Sequence, residues 1–133
     1  VTSSMVKVPS ISNRGKRRLG AIAHSLFPGG ELTHVSRVIS EMSERGLETW
    51  DVESLRPHYA RTLEHWSRNF EDRLAQAVAA SDERTARIWR LYLAGCAYAF
   101  EQRWVSIYQV LGSKQAVSGQ SDLPLTREWM YRA

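Results

Sequence analysis

Residues 83–102 carry apolar side chains around almost the whole circumference of a helix: Ile88, Trp89, Leu91, Tyr92, Leu93, Cys96, Tyr98, Ala99 and Phe100. A helix of that kind is buried or lines something apolar. Just before it, residues 58–79 place Tyr59, Leu63, Trp66, Phe70, Leu74 and Val78 every three or four positions, the spacing of a long amphipathic helix. Ser81-Asp82 separates the two helices and offers a new N-cap. The remaining chain supplies few walls for so much apolar surface. LETWDVESL (47–55) reads as a partly exposed strand, and WVSIYQVL (104–111) as a strand covered on both faces. Two strands do not make a stable sheet alone. A chain of 133 residues buries only about two-thirds of its unfolded surface. The pattern reads as one end of a larger α/β domain, and its uncovered apolar surface favours self-association.

The other segments are plainer. Thr33 is placed to cap a helix bearing Val35, Val38, Ile39 and Met42 on one face, and Gly46 stands where a left-handed C-cap belongs. Leu19, Ile22, Ala23, Leu26 and Phe27 suggest a short helix over 14–27, which Pro28-Gly29-Gly30 ends. Residues 1–13 show neither period and read as a loose arm or at most a short strand. GSKQAVSGQS after residue 111 reads as a linker, and Leu123, Leu125, Trp129 and Met130 in the tail are suited to docking on a surface. The resulting division is a basic arm (1–18), a folded part (19–111) with a helical insertion (58–102), and a linker with tail (112–133).

Charge narrows the function classes. Residues 1–30 hold Lys7, Arg14, Lys16, Arg17 and Arg18 and no acid, whereas residues 31–133 hold thirteen bases and fourteen acids. The basic balance therefore belongs to a short segment and not to a folded face, which argues against nucleic acid as a partner. The basic run is either a solvated patch or a contact for anionic lipid headgroups. One cysteine excludes an internal disulfide and a cysteine-based zinc cage. No apolar run approaches a membrane span and no signal pattern opens the chain, so the expected setting is the cytoplasm. There is no GxGxxG, P-loop, HExxH or GxSxG motif. His58 and His65 are seven apart, too far to share a metal simply, and Cys96 in LYLAGCAYAF reads as packing. Tyr59, Tyr92 and Tyr98 bring hydroxyls to apolar faces. Each needs a partner, either a backbone carbonyl or a small oxyanion held in an apolar pocket.

Four stretches in order, LFPGGEL (26–32), LRPHYARTLEHW (55–66), IWRLYLAGCAYAFEQRWVSIYQVL (88–111) and LPLTREWMY (123–131), resemble the C-terminal third of cyclopropane-fatty-acyl-phospholipid synthases and mycolic acid cyclopropane synthases. The resemblance runs from about residue 19 to 131. It implies an α/β fold: the C-terminal portion of an S-adenosylmethionine-dependent methyltransferase of Rossmann-like architecture, mostly helical here, ending in an antiparallel strand pair. Segments 47–55 and 104–111 would be the last two strands, with the helix pair covering a lipid pocket. The implied chemistry is methylene addition across a cis double bond of a phospholipid acyl chain. The alkene attacks the sulfonium methyl and a base then removes a proton. The implied cofactors are S-adenosylmethionine and a bound bicarbonate that serves as the base. The resemblance places a bicarbonate-binding tyrosine at Tyr59 and acyl-pocket positions at Leu32, Leu63, Tyr92 and Cys96. The family's Gly-rich cofactor loop and its bicarbonate-binding Glu and His lie upstream of the matched part. Residues 1–18 do not resemble the strand that carries that His, and His24 has the wrong spacing to replace it. The expectation is a partial chain, inactive alone, that works beside a cofactor-bearing chain or as a homo-oligomer. Its partners would be acyl chains and the inner membrane surface. The alternative is a non-catalytic lipid-binding or interaction module built on the same fold.

Overall fold

The computed structural model describes residues 3–15, 17, 32–114 and 123–131. Three strands, β1 (Ser3–Ile11), β2 (Leu47–Ser54) and β3 (Val105–Lys114), form one sheet in the order β1-β3-β2. Both outer strands are antiparallel to β3. They therefore run in the same direction, with a reversed strand between them. β3 is the best buried strand: Val110 is fully enclosed, and Leu111 and Ser113 are nearly so. Its pairing continues to Lys114, so Gly112–Lys114 belong to the strand and not to a linker.

The first described residues are neither a loose arm nor only a short strand, the two alternatives their sequence left open. Residues 3–11 pair with β3 along their whole length, from Ser3↔Ser113 to Ile11↔Val105. Val8 and Ile11 enter the core, while Met5 and Val6 remain about half exposed. Pro9 is tolerated because β1 has a neighbour on one side among the described strands. Beyond it, residues 13–15 and 17 are helical, and the rest of the proposed 14–27 helix lies outside the described residues.

Helix α1 (Val35–Glu44) starts at His34, whose ring nitrogen accepts from the Ser36 N–H, so His34 caps it in place of Thr33. Gly46 has φ 73°, the left-handed turn expected after this helix. α1 lies over the sheet at Gly112, where an added Cβ would come within 2.6 Å of the Met42 terminal methyl. The expected single helix over 58–79 is two helices, α2 (Arg56–Asp72) and α3 (Leu74–Ala80), parted at Arg73. Pro57 sits in the first turn of α2, where a missing N–H costs nothing. Helix α4 (Glu83–Glu101) is capped by Asp82, which accepts from the Thr85 N–H at 2.9 Å. α2 and α4 run antiparallel: Tyr59 meets Phe100 near one end, and Glu71 pairs with Arg90 near the other.

One face of α4 is packed and the opposite face is open. Ala86, Leu93, Ala99 and Phe100 are buried, whereas Leu91 is 73% exposed, with Ile88 and Tyr98 about half exposed. The tail docks in part. Arg127 pairs with the buried Asp51 carboxylate at 2.7 Å, and the short 3-10 helix Glu128–Tyr131 brings Met130 beside Met5 and Leu111. Leu125 does not dock and is fully exposed. Among the described residues, no helix is long and apolar enough to cross a membrane.

Candidate functional site

The carboxyl ends of β1 and β2 converge with the turn that leads into β3. Ser12 follows β1. Its N–H donates to the Trp104 carbonyl at 2.9 Å, and its hydroxyl donates to the Arg103 carbonyl at 3.0 Å. The same hydroxyl accepts from the Gly15 N–H at 3.0 Å. A Cβ at residue 15 would stand 2.1 Å from the Trp104 carbonyl oxygen, so only glycine fits there. After β2, the Leu55 N–H donates to the Ile107 carbonyl at 2.8 Å, and α2 begins. In open α/β sheets, ligands sit outside the carboxyl ends of the strands.

Tyr59 lies in the first turns of α2 at this end. Its ring stacks on Phe100, with centroids 5.7 Å apart and planes 19° apart. Arg56 fixes that meeting, because its guanidinium donates to the Phe100 carbonyl at 3.1 Å and so ties the start of α2 to the end of α4. The Tyr59 hydroxyl makes no hydrogen bond to a described residue. Leu63, one turn further, is buried with Leu93 and Phe100. Tyr59, Phe70, Tyr92, Cys96, Val105 and Ile107 pack around those three.

Four of the five residues singled out in the sequence, Tyr59, Leu63, Tyr92 and Cys96, thus meet in one cluster between α2, α4 and β3. Leu32 stands outside it, half-buried beside Thr33, whose carbonyl accepts from the Ile11 N–H. Sequence reasoning missed Phe100 and Arg56 as organisers. Phe100 is one of many apolar residues on α4, and an arginine before a proline carries no local sign of a hydrogen bond to a residue 44 positions away. Of the basic run, Arg14 and Arg17 are exposed, while Lys16 and Arg18 lie outside the described residues.

Tyr92 and Cys96, one helical turn apart, hydrogen-bond to each other. Burial pushes the Cys96 thiol above its ordinary range, against a smaller opposing effect of that hydrogen bond. Burial also raises the Tyr92 phenol, helped by the neighbouring Cys96. Both groups therefore stay neutral near pH 7, which suits an apolar wall and not a thiolate nucleophile. Past Phe70 and Leu93 the cluster opens into a groove of about 490 Å³, lined by Trp66, Asn69, Phe70, Arg73, Trp89 and Leu93 among others. Among the described residues, no group of His, Cys, Asp and Glu is arranged to hold a metal ion.

Residues 2–110 match the family model described as mycolic acid cyclopropane synthetase. The match starts at residue 2, so the likeness includes the segment that forms β1, contrary to the expectation that it begins near residue 19. A probable fatty acid methyltransferase of Pseudomonas putida is 57% identical over 107 residues, covering 80% of this chain and 27% of that protein. Cyclopropane mycolic acid synthase 1 of Mycobacterium tuberculosis is 36% identical over 93 residues, covering 70% of this chain and 32% of that protein. The solved structure of mycolic acid cyclopropane synthase CmaA1, complexed with SAH and CTAB, superposes with a TM-score of 0.77 at 27% identity. That superposition covers 84% of this chain and 44% of the other. The chain spans about a quarter to a third of the length of the curated relatives it matches.

Proposed function

The chain belongs to the mycolic acid cyclopropane synthetase family of S-adenosylmethionine-dependent methyltransferases, and on that premise we propose that it forms the acyl-binding wall of a site adding a methylene across a cis double bond of a phospholipid acyl chain. The observation that carries this reading is the convergence of Tyr59, Leu63, Tyr92 and Cys96 on one apolar cluster at the carboxyl ends of the strands. An alkene is a poor nucleophile, so its reaction needs a dry and aligned site. Leu63, Tyr92 and Cys96 hold a methylene chain in place and exclude water. Tyr59 has a hydroxyl with no partner among the described residues and a ring held by Phe100. Such a hydroxyl fits as one hydrogen-bond donor to a small oxyanion such as bicarbonate. When bound, bicarbonate supplies the base that takes up the proton.

The described residues do not fit S-adenosylmethionine in the same way. Among the described residues after β1, Gly15 closes against the Trp104 carbonyl where even a Cβ finds no room, and the sequence holds no GxGxxG motif. We therefore derive no methyl-transfer step from these residues, and the chain alone is expected not to bind the cofactor. The test is an exchange of residues 32–111 into the Pseudomonas putida relative, followed by transfer of labelled methyl into unsaturated phospholipid. The hybrid is expected to be active, and Tyr59→Phe in it is expected to cut turnover about 10²-fold or more. Unchanged turnover in that variant overturns the role of Tyr59. A folded hybrid that binds lipid and never methylates it makes the segment a non-catalytic lipid-binding module.

A further inference from the structure

The groove beyond Phe70 and Leu93 is continuous with the acyl cluster, because both side chains belong to each. Its walls are apolar: Trp66, Phe70, Trp89 and Leu93. At the far end the character changes. Asn69 and Gln76 are neutral hydrogen-bonding groups, and among the described residues Arg73 is the one charged residue lining the groove. The nearby Glu71 is engaged by Arg90 from α4, and no ion pair to Arg73 is formed among the described residues. Arg73 stands at the break between α2 and α3, where the chain departs from the helical line. An open groove of about 490 Å³ is within the size range of small-ligand sites.

Length adds a second argument. Fourteen residues separate Tyr59 from Arg73, which at 1.5 Å per residue is about 21 Å along the helical line. Half a bilayer, from headgroup surface to chain end, is also roughly 20–22 Å. An extended acyl chain is longer than its share of a fluid bilayer, so the seam from Arg73 to Tyr59 spans a lipid head and the proximal part of its chain, which brings a mid-chain bond to Tyr59. The seam is apolar between its ends, cationic at one end, and carries at the other a hydroxyl with no partner among the described residues.

We propose that this groove holds the phosphate-bearing head of a single lipid, with Arg73 as its anion-binding residue and the acyl chain lying along Phe70, Leu93, Leu63 and Cys96 toward Tyr59. The inference rests on the acyl-binding reading above and adds the headgroup end to it. A fixed head makes the seam a ruler, because it sets how far along the chain a bond can lie and still reach Tyr59.

Three probes test it, each titrated below its aggregation concentration against the purified chain, with tryptophan fluorescence from Trp66 and Trp89 as readout. They are 1-oleoyl lysophosphatidate, 1-oleoylglycerol and inorganic phosphate. Lysophosphatidate is expected to bind tightest. Arg73→Gln is expected to weaken it roughly tenfold or more, and Arg73→Lys to keep most of the affinity. Oleoylglycerol is expected to bind all three chains equally. If Arg73→Gln leaves lysophosphatidate binding unchanged, the headgroup assignment falls while the acyl seam stands. An equal loss for both oleoyl probes makes Arg73 a structural residue and also overturns it. Inorganic phosphate binding as tightly as lysophosphatidate replaces the lipid head by a free-anion site. Binding of neither oleoyl probe sinks this inference and the acyl-binding reading together.

Discussion

Leu91 and Leu93 lie two residues apart on the same helix, and the structure gives them opposite fates. Leu93 is 8% exposed and packs with Leu63 and Phe100, whereas Leu91 is 73% exposed. Truncating Leu93 to alanine removes three buried carbons, worth about 2.4 kcal/mol at roughly 0.8 kcal/mol each. The cavity left behind adds to that, and measured Leu→Ala losses at buried sites run from about 2.7 to 5.0 kcal/mol. The expected cost is therefore about 3 kcal/mol. For a chain of this size that lowers the melting temperature by roughly 10–15 °C. Leu91→Ala removes contacts with solvent only and exchanges one strong helix former for another, so its cost should stay within about 0.5 kcal/mol. Urea unfolding followed by circular dichroism measures both, and an unchanged m-value licenses the comparison. Equal costs for the two variants would refute the assignment of the packed face. A large cost at Leu91 that falls as protein concentration falls would show that a second copy covers the outer face in solution.

Two further outcomes follow from the same cluster. Cys96 should react with thiol reagents along a pH profile whose midpoint lies above that of a free thiol, about 8.5, because burial disfavours its thiolate. The folded chain then binds more protons than the unfolded one above that value, so stability falls as pH rises past it, and a midpoint at or below 8.5 contradicts the burial argument. Arg56→Ala should cost about 1–2 kcal/mol through loss of the hydrogen bond to the Phe100 carbonyl, read as a lower urea midpoint, and an unmoved midpoint would show that the link does not hold α2 to α4.

What could be read from the chain follows the range of the interactions. The helix pair was legible because Tyr59, Leu63, Trp66 and Phe70 repeat at a local period. Asp82 and Gly46 marked boundaries through chemistry carried within a few residues. β1 was not legible, because its partner lies about a hundred residues away in β3, and Pro9 and the serines mask its short Val6–Val8 alternation. The break at Arg73 carried no breaker residue. The open face of α4 was hidden for a different reason. A helix apolar all round does not say which side finds a partner, and Leu93 and Phe100 are chosen because α2 presents Leu63 and Tyr59 to them. Leu32 and the pocket positions came from family likeness and not from spacing, and Leu32 is the one the cluster does not include.

The geometry divides the proposed task between two regions. The end of the sheet is held by close contacts to backbone carbonyls: Gly15 under Trp104, Leu55 on Ile107, and Arg56 on Phe100. Those contacts hold the start of α2, and with it the Tyr59 ring stacked on Phe100, which is the orientation that a hydrogen-bond donor to a bound anion needs. Away from the sheet, α2 and α4 meet through side-chain packing and one exposed ion pair, and the seam between them widens into the groove at Arg73. Packing of that kind yields more easily than a backbone-anchored turn. Under the proposed function, substitutions near Ser12, Gly15 and Arg56 should therefore change rate with any acyl substrate, whereas substitutions along Trp66, Phe70 and Trp89 should change which lipid is taken. A groove substitution that altered turnover equally for every lipid would show that recognition and chemistry share one rigid unit.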